Sequence, residues 1–145
     1  MIRICTEADR ESLAEYLKEE PYGRLMNRSI EEYGFERPYQ TVYVDEEPPA
    51  EGGRIKGVYL WFCKNLLLYV KGNQVAIDFL EETMGIAAPE WVAGRKDNVN
   101  IVSWLLTDYQ MENGLELPEI CGADGEPVKY ISSEEHAGEW SVLRR

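Results

Sequence analysis

The run Leu66-Leu67-Leu68-Tyr69-Val70 constrains this chain more than any other feature. Successive side chains of a strand point to opposite sides, so five apolar residues in a row leave no face for water. The run is short for a helix and is bounded by Lys64-Asn65 and Lys71-Gly72. It therefore reads as a strand covered on both faces, in the middle of a sheet with helices above and below it. The longest apolar-rich stretch, residues 58–70, is broken by Lys64 and Asn65 and is too short to cross a bilayer.

The neighbours of this run extend the prediction. Residues 54–63 and 65–71 are two apolar runs separated by Lys64-Asn65, which predicts a hairpin. Gly72-Asn73 begins a turn, and residues 74–84 form a helix burying Val75, Phe79, Leu80 and Met84, with Gly85 as its stop. Trp91-Val92-Ala93-Gly94 is a short strand, so a strand–helix–strand unit brings two parallel strands together. Asp97 or Asn98 caps the next helix, which runs to Tyr109 with Ile101, Val102, Leu105 and Leu106 on one face, and Asn113-Gly114 is a stop.

At the N-terminus, Ile2 and Ile4 alternate with Arg3, which suits an edge strand over residues 1–5. Thr6 followed three residues on by Asp9 resembles a capping box, and Leu13, Tyr16 and Leu17 share the apolar face of the first helix. Pro21 and Gly23 stop that helix. A second helix covers residues 24–33, with Leu25, Met26, Ile30 and Tyr33 as its stripe and Gly34 at a left-handed C-terminal position. Residues 41–44 form a strand, 45–53 an acidic loop, and residues 127–132 and 139–143 two further strands, preceded by a turn at Ala123-Asp124-Gly125. The whole is one α/β (α+β) domain over residues 1–145, a mixed sheet with helices on its faces.

Charge narrows the function. The net charge is −12, and no cluster of Lys and Arg with interleaved aromatics is present, which argues against nucleic acid and anionic membrane as partners. The acidity serves solubility and is compatible with a cationic substrate such as an amine. Cys5, Cys63 and Cys121 are odd in number and form no C-x-x-C pair, so neither a disulfide framework nor a zinc site is expected, and a reducing cytoplasm is. No signal peptide is visible.

The opening Ile2-Arg3-Ile4-Cys5-Thr6-Glu7-Ala8-Asp9, followed by Leu13 and Leu17, together with the order β-α-α-β-β-β-α-β-α, resembles the GNAT superfamily of acyl-CoA-dependent N-acyltransferases. That resemblance implies a mixed, mostly antiparallel sheet with helices on both faces, acetyl-CoA as cofactor and an amine as acceptor. In the family a Gly-rich loop after the fourth strand cradles the pyrophosphate with backbone N–H groups, backed by a helix N-terminus. The matching stretch here is Val70-Lys71-Gly72-Asn73-Gln74-Val75, which has one Gly, and the resemblance assigns cofactor contact to Tyr69, Val70, Lys71, Gly72 and Asn73. A Tyr near the end of the family's fourth helix protonates the departing thiolate. Asn100, Ser103 and Leu106 echo that helix, and Tyr109, two residues late, is the candidate. The runs Glu19-Glu20-Pro21, Ile30-Glu31-Glu32-Tyr33-Gly34-Phe35 and Tyr69-Val70-Lys71-Gly72 also look like the degenerate N-terminal half of two-part family members. In that case the partner is a second GNAT-like domain, or another copy in a homodimer.

Other residues carry less chemistry. His136 is the sole histidine and lies in a polar stretch with Glu134 and Glu135, so no His-based metal site is available. Cys63 is expected as a small buried hydrophobe in its strand, and Cys121 as exposed. Tyr59, Trp61, Phe62 and Tyr69 either pack the core or line a pocket. Three functions stay open on these residues: an acyltransferase, a non-catalytic GNAT-like binding or interaction module, and an unrelated small α/β binding protein.

Overall fold

A chain that alternates short apolar strands with amphipathic helices must bury two helix layers against one sheet. The computed structural model, which describes residues 1–114 and 140–145, does so. Its elements are β1 (Ile2–Ile4), α1 (Arg10–Leu17), α2 (Pro21–Tyr33), β2 (Gln40–Glu46), β3 (Ile55–Phe62), β4 (Asn65–Tyr69), α3 (Ile77–Ile86), β5 (Trp91–Gly94), α4 (Lys96–Ser103), β6 (Gln110–Gly114) and β7 (Trp140–Arg144). Among the described residues the strands form one sheet in the order β1-β2-β3-β4-β5-β7-β6. Every neighbouring pair is antiparallel except β4 with β5.

The fully apolar run is central, as its composition requires. Every residue of β4 is buried, and its two faces enter two separate cores. Leu67 and Tyr69 pack under α1 and α2 with Leu13, Leu17, Met26 and Ile30. Leu66, Leu68 and Val70 pack under α3 and α4 with Leu80, Met84, Val99 and Val102. Burying a Leu-sized side chain contributes about 1.5–3 kcal/mol, and β4 does so on both sides of the sheet.

Several boundaries differ from the sequence expectation, each for a physical reason. Pro21 opens α2, because the missing N–H of proline costs nothing at the first helical position. Gly23 lies inside α2, where a Cβ would sit 2.3 Å from the Leu17 carbonyl oxygen; its absence lets the two helices pack closely. Gly34 has φ +71° but ψ −149°, outside the left-handed helical basin, and its N–H still closes on the Ile30 carbonyl at 2.7 Å. The hairpin turn is Cys63-Lys64, with Phe62 paired to Asn65, so Cys63 is an exposed turn residue at φ +55° and not a buried strand residue. Asp45 belongs to β2 and is buried.

Helix α3 starts at Ile77, later than its apolar pattern, because Ala76 at ψ 80° is outside the helical region; its N–H donates to the Tyr59 hydroxyl at 2.8 Å, and Gly85 lies within the helix. Helix α4 begins after Arg95 and ends at Ser103, so Tyr109 lies beyond it. Asn113 and Gly114 belong to β6 instead of ending an element. The final strand runs one residue later than expected, as β7. The expected strand at 127–132, the turn at Ala123-Asp124-Gly125, Cys121 and His136 fall outside the described residues.

Candidate functional site

Strands β4 and β5 run parallel and paired from Asn65↔Trp91 to Leu68↔Gly94, and then part as β5 enters α4. In a parallel sheet the crevice beyond such a parting point, at the carboxyl ends of the strands, is where ligands bind. Here the crevice holds the chain's own side chains. Asn98, fully buried on the first turn of α4, accepts the Val70 N–H with Oδ1 and donates Nδ2 to the Val70 carbonyl, both at 2.9 Å. The carboxamide therefore takes the ladder position that the next residue of β5 would have filled. Its second Nδ2 proton goes to Asn73 Oδ1 at 2.9 Å, which helps hold Asn73 at φ +57°.

Arg95 covers the same end from outside. It donates to the carbonyls of Val70 (2.9 Å) and Lys71 (2.7 Å), to both carboxylate oxygens of Asp97, and to Glu20 at 2.9 Å. Glu20, at the elbow between α1 and α2, also accepts the Tyr69 hydroxyl. The Asp97 carboxylate, first among several partners, raises the Arg95 guanidinium above its ordinary value, so the cation is permanent. Burial, reinforced by Glu20, pushes the Tyr69 phenol upward, so it remains a donor.

The turn itself is equally engaged. The Lys71 N–H donates to the Tyr16 hydroxyl at 3.0 Å, and Tyr16 donates onward to the Lys56 carbonyl at 3.0 Å. Burial keeps the Tyr16 phenol above its ordinary value. The Asn73 N–H closes on the Val70 carbonyl at 3.1 Å. The Lys71 ammonium lies 3.1 Å from Glu19 and 4.6 Å above the Tyr16 ring. At this end of the sheet three carboxylates, Glu19, Glu20 and Asp97, face the two cations Lys71 and Arg95. A pyrophosphate needs free N–H donors and uncompensated positive charge. The N–H groups of Val70, Lys71 and Asn73 are already bonded within the protein, and both cations are paired. Those three donors and both cations are therefore engaged within the protein, and Lys71 is no uncompensated charge for the pyrophosphate of acetyl-CoA.

Of the residues singled out from sequence, Tyr69, Val70, Lys71, Gly72 and Asn73 lie together at this crevice, with Gly72 exposed at its rim. Tyr109 lies elsewhere. Its hydroxyl donates to the Pro89 carbonyl, just before β5 and at the opposite end of the β4–β5 ladder. The residues that sequence reasoning did not assign to this crevice are Tyr16, Glu20, Arg95 and Asn98. Asp97 apart, which is two residues from Arg95, their partners stand 24 to 75 residues away along the chain, beyond the reach of any local pattern. The one local signal was polar: Asn98 sits on a face of α4 whose neighbours Val99 and Val102 are buried.

No family model matches the chain, and no curated protein matches its sequence. Two solved structures are similar over its length. One is a point mutant of the spermidine N-acetyltransferase SpeG from Vibrio cholerae, at 9% identity and a TM-score of 0.50, covering 99% of this chain and 92% of that one. The chain has a GNAT-like fold. The other is a chimera of SpeG from Vibrio cholerae with hSSAT, at 9% identity and a TM-score of 0.44, covering 99% of this chain and 94% of that one. At such identity the likeness speaks to the fold alone, and the crevice must be judged on its own residues. Among the described residues no group of three or more His, Cys, Asp and Glu is placed to hold a metal ion, and no helix is long and apolar enough to cross a membrane.

Proposed function

We propose that this chain is a GNAT-like binding or interaction module that does not itself transfer acyl groups. The observation that carries this reading is the pairing of Asn98 with the Val70 main chain, which closes the parting of β4 and β5 with a side chain of the protein. An acyl-CoA entering there would have to displace two buried hydrogen bonds and the Arg95 cover, and each broken buried bond costs about 1–3 kcal/mol unless replaced. The self-neutralised turn at Lys71 adds no compensating attraction for phosphate.

The test is a calorimetric titration with acetyl-CoA, alongside release of free thiol in the presence of a panel of primary amines. We expect no binding heat at millimolar acetyl-CoA and no thiol release above the buffer rate. Micromolar binding that Lys71→Glu weakens would sink this reading and restore the acyltransferase.

A further inference from the structure

On the α3 face of the sheet, away from the crevice, lies a second concavity. It has a volume of about 430 Å³ and opens between β2, β3 and α3. Three aromatic rings line it: Tyr43 of β2, Trp61 of β3 and Phe79 of α3. The Tyr43 and Phe79 rings meet edge-to-face at 5.0 Å, and Phe79 is held from behind by the buried Tyr59 at 5.6 Å. The Trp61 indole nitrogen is buried and has no hydrogen-bond partner among the described residues, so Trp61 offers the concavity its ring and not its N–H. The one charged side chain on the wall is Glu82, exposed on α3, and no Lys or Arg lines the space.

We infer that this concavity binds a small organic cation, a quaternary or N-alkylated ammonium. Ring faces carry the negative side of the aromatic quadrupole, and several of them converging on one space attract a cation that is too weakly hydrated to prefer water. Glu82 supplies the counter-charge at the rim, and it makes no ion pair with another described residue. The neighbouring concavity shares Phe79 and Glu82 and contains Asp45, whose carboxylate already holds the Met1 ammonium at 3.1 Å. Asp45 is therefore paired, and Asp78 lines that neighbouring space only, so Glu82 is the carboxylate on the wall of the aromatic concavity itself. A quaternary ammonium has no N–H to acylate, so this site is one of recognition and stands independently of any acetyl-CoA binding at the β4–β5 crevice.

The experiment compares choline with its uncharged tert-butyl analogue, at matched ionic strength, by NMR of nitrogen-labelled protein. The Trp61 indole resonance, assigned with Trp61→Phe, is the reporter. We expect a saturable shift of that resonance with choline and binding of the uncharged analogue weaker by about tenfold. Glu82→Gln, a change at an exposed position that leaves the circular dichroism spectrum unchanged, should weaken choline by about threefold or more. Phe79→Leu keeps the site apolar and should weaken choline while leaving the analogue unaffected. Equal affinity for the two probes would overturn the proposal, since the space would then be merely apolar. So would choline shifts that spare Trp61, or no saturable shift at millimolar choline.

Discussion

The carboxamide of Asn98 pairs with both the N–H and the carbonyl of Val70, so that a helix side chain completes the hydrogen bonding of a central strand. The two residues are 28 apart in sequence and both are buried. This pairing keeps β4 satisfied after β5 has turned away, and it decides what the crevice can accept.

Replacing Asn98 with Ala leaves the Val70 N–H buried without an acceptor, which should cost about 2–3 kcal/mol in urea unfolding at neutral pH. Asn98→Asp keeps the acceptor but turns a carboxylate oxygen toward the Val70 carbonyl and the Asn73 side chain. It should be the more damaging change, and an Asp variant as stable as the parent would contradict the assigned hydrogen bonds.

Close backbone approach makes a second expectation. A Cβ on Gly23 would lie 2.3 Å from the Leu17 carbonyl oxygen, and one on Gly94 2.7 Å from that of Leu68. Neither backbone can step aside without moving an element, so Gly23→Ala and Gly94→Ala should each lose about 2–3 kcal/mol or more in thermal unfolding. At Gly57 the first obstacle is a methyl group of Val70 at 2.8 Å, a side chain and not a backbone atom, and Gly57→Ala should be the mildest of the three.

The two described cysteines should separate cleanly by reactivity. Cys63 stands exposed in the hairpin turn, whereas burial pushes the Cys5 thiol up to about 12. Of these two, mass mapping after alkylation at pH 8 should find Cys63 modified before Cys5, with Cys5 protected until the protein unfolds. The folded-state value of Cys5 lies above the ordinary thiol value of about 8.5. Its burial therefore contributes to stability below that ordinary value, and the contribution is lost as pH rises toward about 12. Cys5→Ala should flatten this alkaline loss; an unchanged alkaline limb would count against the assignment.

Much of this architecture is legible in the sequence where one element decides the matter alone. The unbroken apolar run of β4 announces its central place, and the strand Trp91–Gly94 has the predicted bounds. Periodicity also places Leu13, Leu17, Leu80 and Met84 on buried faces. Local reading fails where a residue serves a distant partner. Asn98 has the composition of a cap, but its side chain is drawn to Val70, and Pro21 looks like a terminator although it begins a helix. The hairpin slips by one because Cys63 adopts a positive φ that its residue type does not advertise. The crevice was visible as a stretch of chain, Tyr69 to Asn73. Its occupants were not, because the fold alone brings Glu20 of the helical elbow to Arg95.

Strand β7 is inserted between β5 and β6, which precede it in the chain, and among the described residues β6 joins the sheet only through β7. During synthesis the β5–β7 pairing must therefore wait until Trp140 to Arg144 have emerged. A chain interrupted before Trp140 would lack the antiparallel partner of Trp91–Gly94, and an unpartnered strand edge is the geometry that recruits foreign strands. Nascent and truncated forms should thus depend on chaperones in a way the finished protein does not.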